Sequence, residues 1–348
     1  MATASDPTSA ITSLEDLYRV LPDHALAPLW TMTGALTPRP VTQMVPHVWR
    51  WEDARRLIER AGDLISAEDA DRRVLAFVNP GTAEHELARA TDTLWAAIQL
   101  VLPGEVAPPH RHTPAALRFI VEGADGYTVV EGERVPMGVG DMTVTPNWAW
   151  HEHGNAGDGP MLWLDGLDVP MVASLRAVFA EFGASEGSGP PPARASTRSM
   201  RSGELLPRHA VGRGGRTLTY RYEDAMASFD ALRDEEGSPY DDLILEYRDP
   251  QTGGPVVPTM SAYLQLLRPG THTRAHRHTA SVVYHVAEGT GHSIVDGVRL
   301  DWGKGDTFAV PVWAEHEHVN ESGRDAVLFS FSDAPALEAL GLLRTQED

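Results

Sequence analysis

One pattern occurs twice in this 348-residue chain. Gly104 is followed by His110 and His112, then by Gly140, Pro146, His151 and Asn155. Gly270 is followed at matching spacings by His276 and His278, then by Gly305, Pro311, His316 and Asn320. The offset is 166 residues at the first His pair and 165 at the third His, so one domain has been duplicated. Such a chain folds as two versions of a single architecture, each presenting three imidazoles.

The spacing has a physical reading. Successive side chains of a β-strand alternate between faces, so His110 and His112 project from one face, as do His276 and His278. A third His arriving from a later strand, just past a Gly-Asp turn, closes a facial three-nitrogen set. Three neutral ligands on an octahedral ion leave three adjacent positions open, a catalytic layout rather than a closed structural one. Histidines without metal are the rival reading, stronger for the second copy than for the first.

Composition narrows the chemistry. The chain has no cysteine, so any metal is held by N or O, and there are no disulfides, thiolate ligands or iron–sulfur clusters. A formal net charge of −20 argues against nucleic acid or an anionic membrane surface as partner. An anionic substrate would then need local arginines. No apolar run approaches the roughly 20 residues that span a bilayer. Residues 1–22 lack both a basic segment and an apolar core, which predicts no secretion signal and a cytoplasmic location.

Along the chain, residues 1 to about 85 read as mostly helical. Ser13 precedes Leu14-Glu15-Asp16-Leu17, Trp51 to Leu64 has apolar residues at helical spacing, and Ser66 with Asp69 resembles a capping box. No equivalent motif stands in front of the second copy, so this segment reads as an added cover or oligomer arm. Arg73 to Asn79 reads as a strand ended by Pro80-Gly81. From Thr93 to Asp165 short strands alternate with Gly, Pro and Asp turns, the signature of an all-β sandwich or barrel. Val169 to Phe182 returns to helical periodicity, followed by the linker ASEGSGPPPARAS. A helix near 224–234, a second β unit from roughly Thr259 to Phe331 and a helix at 334–344 complete the chain. The expected organisation is a helical extension over 1–90, a first β domain over 91–183, a linker over 184–225 and a second β domain with flanking helices over 226–348.

The two-part motif resembles that of the cupins, small antiparallel jelly-roll barrels that hold a metal inside. Two of them behind a helical extension look like a bicupin, an all-β fold of two jelly-roll barrels. PHRHTPAALRFIVEG (109–123), TPNWAWHEHGN (145–155) and WLDGLD (163–168) are similar to the gentisate 1,2-dioxygenase group, which includes salicylate and 1-hydroxy-2-naphthoate dioxygenases. The likeness runs from about Arg72 to the end of the second cupin and is most specific between Trp95 and Asp165. The common cupin pattern has a glutamate after the His pair. Here Arg118 stands six residues beyond His112 and Tyr284 six beyond His278. In this dioxygenase group a three-histidine iron site without the glutamate is expected.

The resemblance implies an Fe(II) enzyme that uses O2 to open gentisate to maleylpyruvate, in aromatic hydrocarbon catabolism, with a small aromatic acid and O2 as partners and assembly as a homotetramer. Salicylate or 1-hydroxy-2-naphthoate cleavage keeps the mechanism and changes the ring. A cupin that binds a small acid without reaction, or an isomerase-type cupin using zinc or manganese, are rivals of another kind. The implied metal ligands are His110, His112 and His151, with His276, His278 and His316 as a second candidate set.

Strand parity puts Arg118 on the face of His112, and His153 on that of His151. Arg118 reads either as a grip on a substrate carboxylate or as the partner of Asp165 in a buried ion pair. Asp165 orients an active-site group or ends a strand. His153, by resemblance, hydrogen-bonds substrate or the reactive oxygen; otherwise it is a rim histidine. Trp95, Ala97 and Gln99 alternate with Leu94, Ala96 and Ile98, and the resemblance puts the former set on the cavity wall. It also brings an arginine from Arg72 or Arg73 to the substrate. In the second copy Tyr284 replaces Arg118, and Ser330 lies near the equivalent of Asp165, so the first copy is expected to do the chemistry.

Overall fold

In the computed structural model each copy of the repeat becomes a barrel of two facing sheets, preceded by a strand–helix arm. The structure describes residues 11–347 except 33, 35, 71, 84–86 and 184–218, and the Pro/Gly/Ser-rich linker expected from 184 lies outside the described residues up to 218. Residues up to Val41 form a unit of their own. There α1 (Leu14–Val20) is capped as the sequence suggests, the Ser13 hydroxyl accepting from the Asp16 amide.

The arm of the N-terminal half is β1 (His47–Trp49) and α2 (Trp51–Leu64), followed by the short α3 (Ala67–Ala70). The first barrel comprises β2 (Arg73–Ala76), β3 (Trp95–Val101), β4 (Val106–His112), β5 (Ala116–Glu122), β6 (Gly126–Val130), β7 (Glu133–Met137), β8 (Met142–Thr145), β9 (His151–Asn155), β10 (Met161–Leu167), α4 (Val169–Ser174) and β11 (Ala180–Phe182). A second arm follows, β12 (Thr219–Tyr220) and α5 (Tyr222–Leu232). The second barrel comprises β13 (Leu243–Tyr247), β14 (Ser261–Leu267), β15 (His276–His278), β16 (Val282–Glu288), β17 (Thr290–Val295), β18 (Val298–Gly303), β19 (Thr307–Val310), β20 (His316–Val319), β21 (Ala326–Ser332), α6 (Ala334–Ala339) and β22 (Thr345–Glu347). One sheet of the first barrel runs β12-β8-β5-β10-β3-β2 and the other β11-β4-β9-β6-β7. Those of the second run β1-β19-β16-β21-β14-β13 and β18-β17-β20-β15-β22.

The arms are exchanged. β1, ahead of the first barrel, pairs with β19 of the second, and β12, ahead of the second, pairs with β8 of the first. Each helix then starts on the aspartate of a Gly-Asp turn. The Trp51 amide donates to Asp306 Oδ1 at 2.9 Å and Arg50 Nη1 to Asp306 Oδ2 at 2.7 Å. The Tyr222 amide donates to Asp141 Oδ1 at 3.0 Å, with Arg221 Nη1 2.7 Å from Asp141 Oδ2. Both turns need glycine twice over. Gly140 and Gly305 have φ of +82° and +90°, and a Cβ on either would sit 2.4 Å from the ring of Tyr222 or Trp51.

This arrangement corrects several expectations. The segment before the first barrel is no unmatched cover, because Trp49-Arg50-Trp51-Glu52-Asp53-Ala54 is repeated as Tyr220-Arg221-Tyr222-Glu223-Asp224-Ala225. Within residues 1–90 the strand expected from Arg73 forms as β2 (Arg73–Ala76), whereas β1 (His47–Trp49) departs from the mostly helical reading because β19 claims it. Val169 to Phe182 is helical only to Ser174. Ala180–Phe182 pairs as a strand with β4, fastened by Arg111 on Glu181 at 2.6 Å. After α6 the chain likewise ends as a strand beside β15.

The outward faces of the large sheets pack on each other. Ala96, Ile98 and Leu100 of β3 and Leu117 and Phe119 of β5 share one core with Leu264, Phe329 and Phe331 of the second barrel. Phe119 stacks on Phe329 with ring centres 4.5 Å apart. A fully buried Phe contributes about 1.5–3 kcal/mol by area, and such a ring pair about 1 kcal/mol more. With the odd-numbered side of β3 turned into the first barrel, the even-numbered side is spent on joining the two.

Candidate metal centre

In the first barrel β4 carries His110 and His112 and β9 carries His151, with His110 and His151 directly opposite in register. The three residues offer ligand nitrogens that all lie within 4.8 Å of one another. Local backbone sets the tautomer. Nδ1 of His110 donates to the Pro108 carbonyl at 3.1 Å, that of His112 to Pro114 at 2.7 Å and that of His151 to Ala149 at 2.9 Å. A carbonyl only accepts, so each Nδ1 carries the proton and each Nε2 presents a lone pair. Nε2 of His151 is buried with no hydrogen-bond partner, a cost that a cation would relieve.

Burial, reinforced by the nearby Arg72, lowers the His110 pKa to about 2. Burial likewise lowers His112 to about 4 and holds His151 well below the usual imidazole value. Three neutral, pre-oriented imidazoles fit a borderline transition-metal ion and no hard oxygen-seeking one. The arrangement can therefore hold a metal.

Register explains what surrounds the triad. Ala97 of β3 faces Asp165 of β10, which faces Arg118 of β5, which faces Thr143 of β8. The four form one row across the barrel interior. Arg118 and Asp165 are each 3% exposed, and Arg118 Nε lies 3.1 Å from Asp165 Oδ1. That contact is an ion pair without an aligned Nε hydrogen bond, whereas Nη1 donates to Thr145 Oγ1 at 2.6 Å. Burial raises the Asp165 pKa to about 6 against the opposing pull of Arg118, and the Trp163 indole donates to its Oδ1 at 3.2 Å.

His153 packs beside Trp163 with ring centres 5.5 Å apart; burial holds its pKa well below normal, and its Nδ1 has no partner. Ala97 and Gln99 lie inside the barrel, with the Gln99 amide nitrogen unpartnered, and Trp95 is partly exposed at the same side of the strand. Arg73 and Arg72 separate cleanly. Arg73 is buried and committed elsewhere, to both oxygens of Glu105 at 2.5 Å and to the Ile65 carbonyl at 2.8 Å. Arg72 is the one whose charge reaches His110, His112, Arg118 and Asp165. The sequence offered no choice between them; the pairing of Arg73 with Leu100 puts Arg73 on the same side of the sheet as Leu100, away from the interior row.

In the second barrel His276 and His316 are again opposite in register, and with His278 they offer ligand nitrogens within 4.8 Å of one another. Nδ1 of His278 donates to the Ala280 carbonyl at 2.7 Å and that of His316 to Ala314 at 3.0 Å. The row equivalent to Ala97-Asp165-Arg118-Thr143 reads Tyr263-Ser330-Tyr284-Phe308.

Comparisons with known proteins agree with this geometry. The cupin domain family matches residues 97–167 and 263–332. A gentisate 1,2-dioxygenase 1 from Aquipseudomonas alcaligenes is 39% identical over 334 residues, 95% of each chain. A 5-aminosalicylate 1,2-dioxygenase from Comamonas sp. is 39% identical over 98% of this chain and 92% of its own. The crystal structure of salicylate 1,2-dioxygenase from Pseudoaminobacter salicylatoxidans, in adducts with gentisate, superposes with a TM-score of 0.87 at 35% identity, covering 100% of this chain and 96% of that one. On its duplicated barrels and near-full-length likeness to these enzymes, the chain belongs to the gentisate 1,2-dioxygenase family of bicupins and is a ring-cleaving dioxygenase.

Proposed function

We propose that the first barrel is the catalytic one and opens gentisate to maleylpyruvate with O2, using Fe(II) held by His110, His112 and His151. The observation that carries this reading is the buried Arg118 in the row beside three neutral imidazoles. The charges of Arg72 and Arg118 both reach this site, which favours an anionic aromatic acid. A bound Fe(II) would supply chelation of the acid and electron transfer from the ring to O2.

The chain's own residues do the rest. Arg118 and Arg72 draw in the carboxylate, and Asp165 fixes the Arg118 fork and balances its charge. His153, neutral and with Nδ1 unpartnered, offers a hydrogen bond to the reacting oxygen or to the substrate. Trp95, Ala97 and Gln99 form the wall against which the ring lies, Ala97 leaving the space a larger residue would fill. Orientation and charge balance are thus the protein's share of the chemistry. Both atoms of O2 enter the product, and the bond broken joins the carboxylate-bearing carbon to the hydroxylated one beside it.

The reading includes a homotetramer, in keeping with the exposed Leu29, Trp30 and Met32 of the N-terminal unit, which a neighbouring copy would cover. O2 uptake by the Fe(II)-loaded protein, with gentisate, 5-aminosalicylate, salicylate and 1-hydroxy-2-naphthoate in parallel, tests the substrate. Uptake fastest with gentisate and lost in His110→Ala is expected. Uptake fastest with another acid reassigns the substrate, and none with any acid returns a binding cupin to first place.

A further inference from the structure

The second barrel keeps the triad and loses everything beside it that suits an organic anion. Arg118 becomes Tyr284, Asp165 becomes Ser330, Thr143 becomes Phe308 and Ala97 becomes Tyr263. Tyr284 lies flat on Phe308, ring centres 4.8 Å apart, and abuts His318 at 4.9 Å. Both belong to an apolar cluster that continues through Val286, Leu300, Trp302 and Leu328. In the first barrel the corresponding buried apolar cluster, Val101, Ile120, Met137, Met161 and Trp163, contains none of the row residues Ala97, Asp165, Arg118 and Thr143. Where the first barrel has a charged row beside its triad, the second has packed aromatic rings.

The charge also changes sign. β2 and β13 occupy the same edge of their barrels, Arg73 opposite Leu100 and Leu243 opposite Leu266. Just before β2 comes Arg72, whose cation reaches the first triad. Just before β13 come Asp241 and Asp242. Asp242 is taken by Arg268, but Asp241 is partly buried within electrostatic reach of His276 and Tyr284. By register the place of Arg72 is held by Asp242, already paired with Arg268, and Asp241 stands one residue earlier. Among the described residues, the charge from this edge that reaches the second triad is thus a carboxylate, whereas the one that reaches the first is the guanidinium of Arg72.

The imidazoles themselves remain fit for a cation. Backbone carbonyls hold Nδ1 of His278 and His316, and buried nitrogens of His276 (Nδ1) and His316 (Nε2) have no hydrogen-bond partner. Three imidazoles gathered in each of two places, five of the six with Nδ1 held by a backbone carbonyl and one place stripped of its organic-anion contacts, are not explained by packing alone, since each buried unpartnered nitrogen such as Nδ1 of His276 or Nε2 of His316 costs about 1–3 kcal/mol.

We infer that the second barrel holds a divalent first-row transition-metal ion on His276, His278 and His316, with Asp241 as its compensating anion, in a centre closed to aromatic acids. The chain then carries two metals and opens only one to substrate. Imidazole-rich sites of this kind take zinc, iron, cobalt or nickel.

The test uses the full-length protein stripped with chelator and reloaded with Co2+, whose visible absorption reports its surroundings. Two equivalents per chain are expected in the wild type. His110→Ala should retain one equivalent, with a spectrum unmoved by gentisate or salicylate at millimolar concentration, and His276→Ala should retain the other. Asp241→Asn in the His110→Ala background should release Co2+ to a competing chelator about 10–100-fold more readily, the usual effect of removing a partner beside a metal site. No metal in soluble His110→Ala would overturn the inference, as would a spectrum in that variant that shifts with either acid. Unchanged retention in Asp241→Asn would overturn the place given to Asp241. Because Co2+ uptake by His110→Ala needs no turnover, these results stand apart from the identity of the ring-cleaved substrate.

Discussion

Arg118 and Asp165 face each other across β5 and β10 with Nε 3.1 Å from Oδ1, and each is almost wholly buried. Removing one member of such a pair leaves an uncompensated charge in the barrel, at about 3–5 kcal/mol. Arg118→Met should lower stability by that amount and also raise KM for the acid about 10–100-fold, the range for a lost charged hydrogen bond. The double variant Arg118→Met, Asp165→Leu should regain most of the stability and none of the KM. Thermal melts beside steady-state O2 uptake check both, and a KM that recovers along with stability would reduce Arg118 to a packing residue.

The neighbouring arginines should fail in opposite ways. Arg73→Ala breaks the bidentate contact with Glu105 and is expected to cost about 3 kcal/mol of stability with KM nearly unchanged. Arg72→Ala should leave the melting temperature within a few degrees and raise KM for the acid tenfold or more. The same two measurements separate them.

His285 gives a pH dependence away from either triad. Burial in the seam beside Phe119 lowers its pKa from 6.5 to about 3, and its Nδ1 lies 3.0 Å from Thr307 Oγ1. Between those two values the unfolded chain binds a proton that the folded one refuses. Stability is then fully present above pH 6.5 and falls as the pH drops towards 3, by about 1.4 kcal/mol per pH unit for one proton. His285→Gln should flatten the acid limb of a urea-unfolding series by that slope, and an unchanged limb would mean that other buried groups carry it.

The two turn aspartates should behave alike. Asp141→Ala and Asp306→Ala each strand a helix N-terminus and an arginine, at about 2–3 kcal/mol each. Differential scanning calorimetry should show two similar losses, with metal content per chain unaffected. A large loss from one alone would mean that the arms do not bear equally on the fold.

The histidine pattern was legible because it depends only on alternation along a strand and on local turns. His110, His112 and His151 meet as their spacing implies, and so do His276, His278 and His316. What escaped depends on partners far away in sequence. Thr219–Tyr220 and Ala180–Phe182 are too short to signal a strand, and become one only because β8 and β4 offer them an edge. The repeated aromatic-Arg-aromatic-Glu-Asp-Ala was present in the sequence at 49–54 and 220–225, but its meaning lay in two aspartates on the opposite barrels. Arg72 and Arg73 could not be told apart because strand parity chooses between them only once β2 has a register.

The exchanged arms also order events in time. Leaving the ribosome, Tyr222 finds Asp141 already made 81 residues earlier, whereas Trp51 must wait for Asp306, 255 residues downstream. Closing the longer loop costs about 1 kcal/mol more in chain entropy. The first barrel can thus be sealed during synthesis, while the second is finished by a segment made long before it, and a chain stalled before β19 would display β1 without its sheet partner and α2 without the aspartate at its N-terminus.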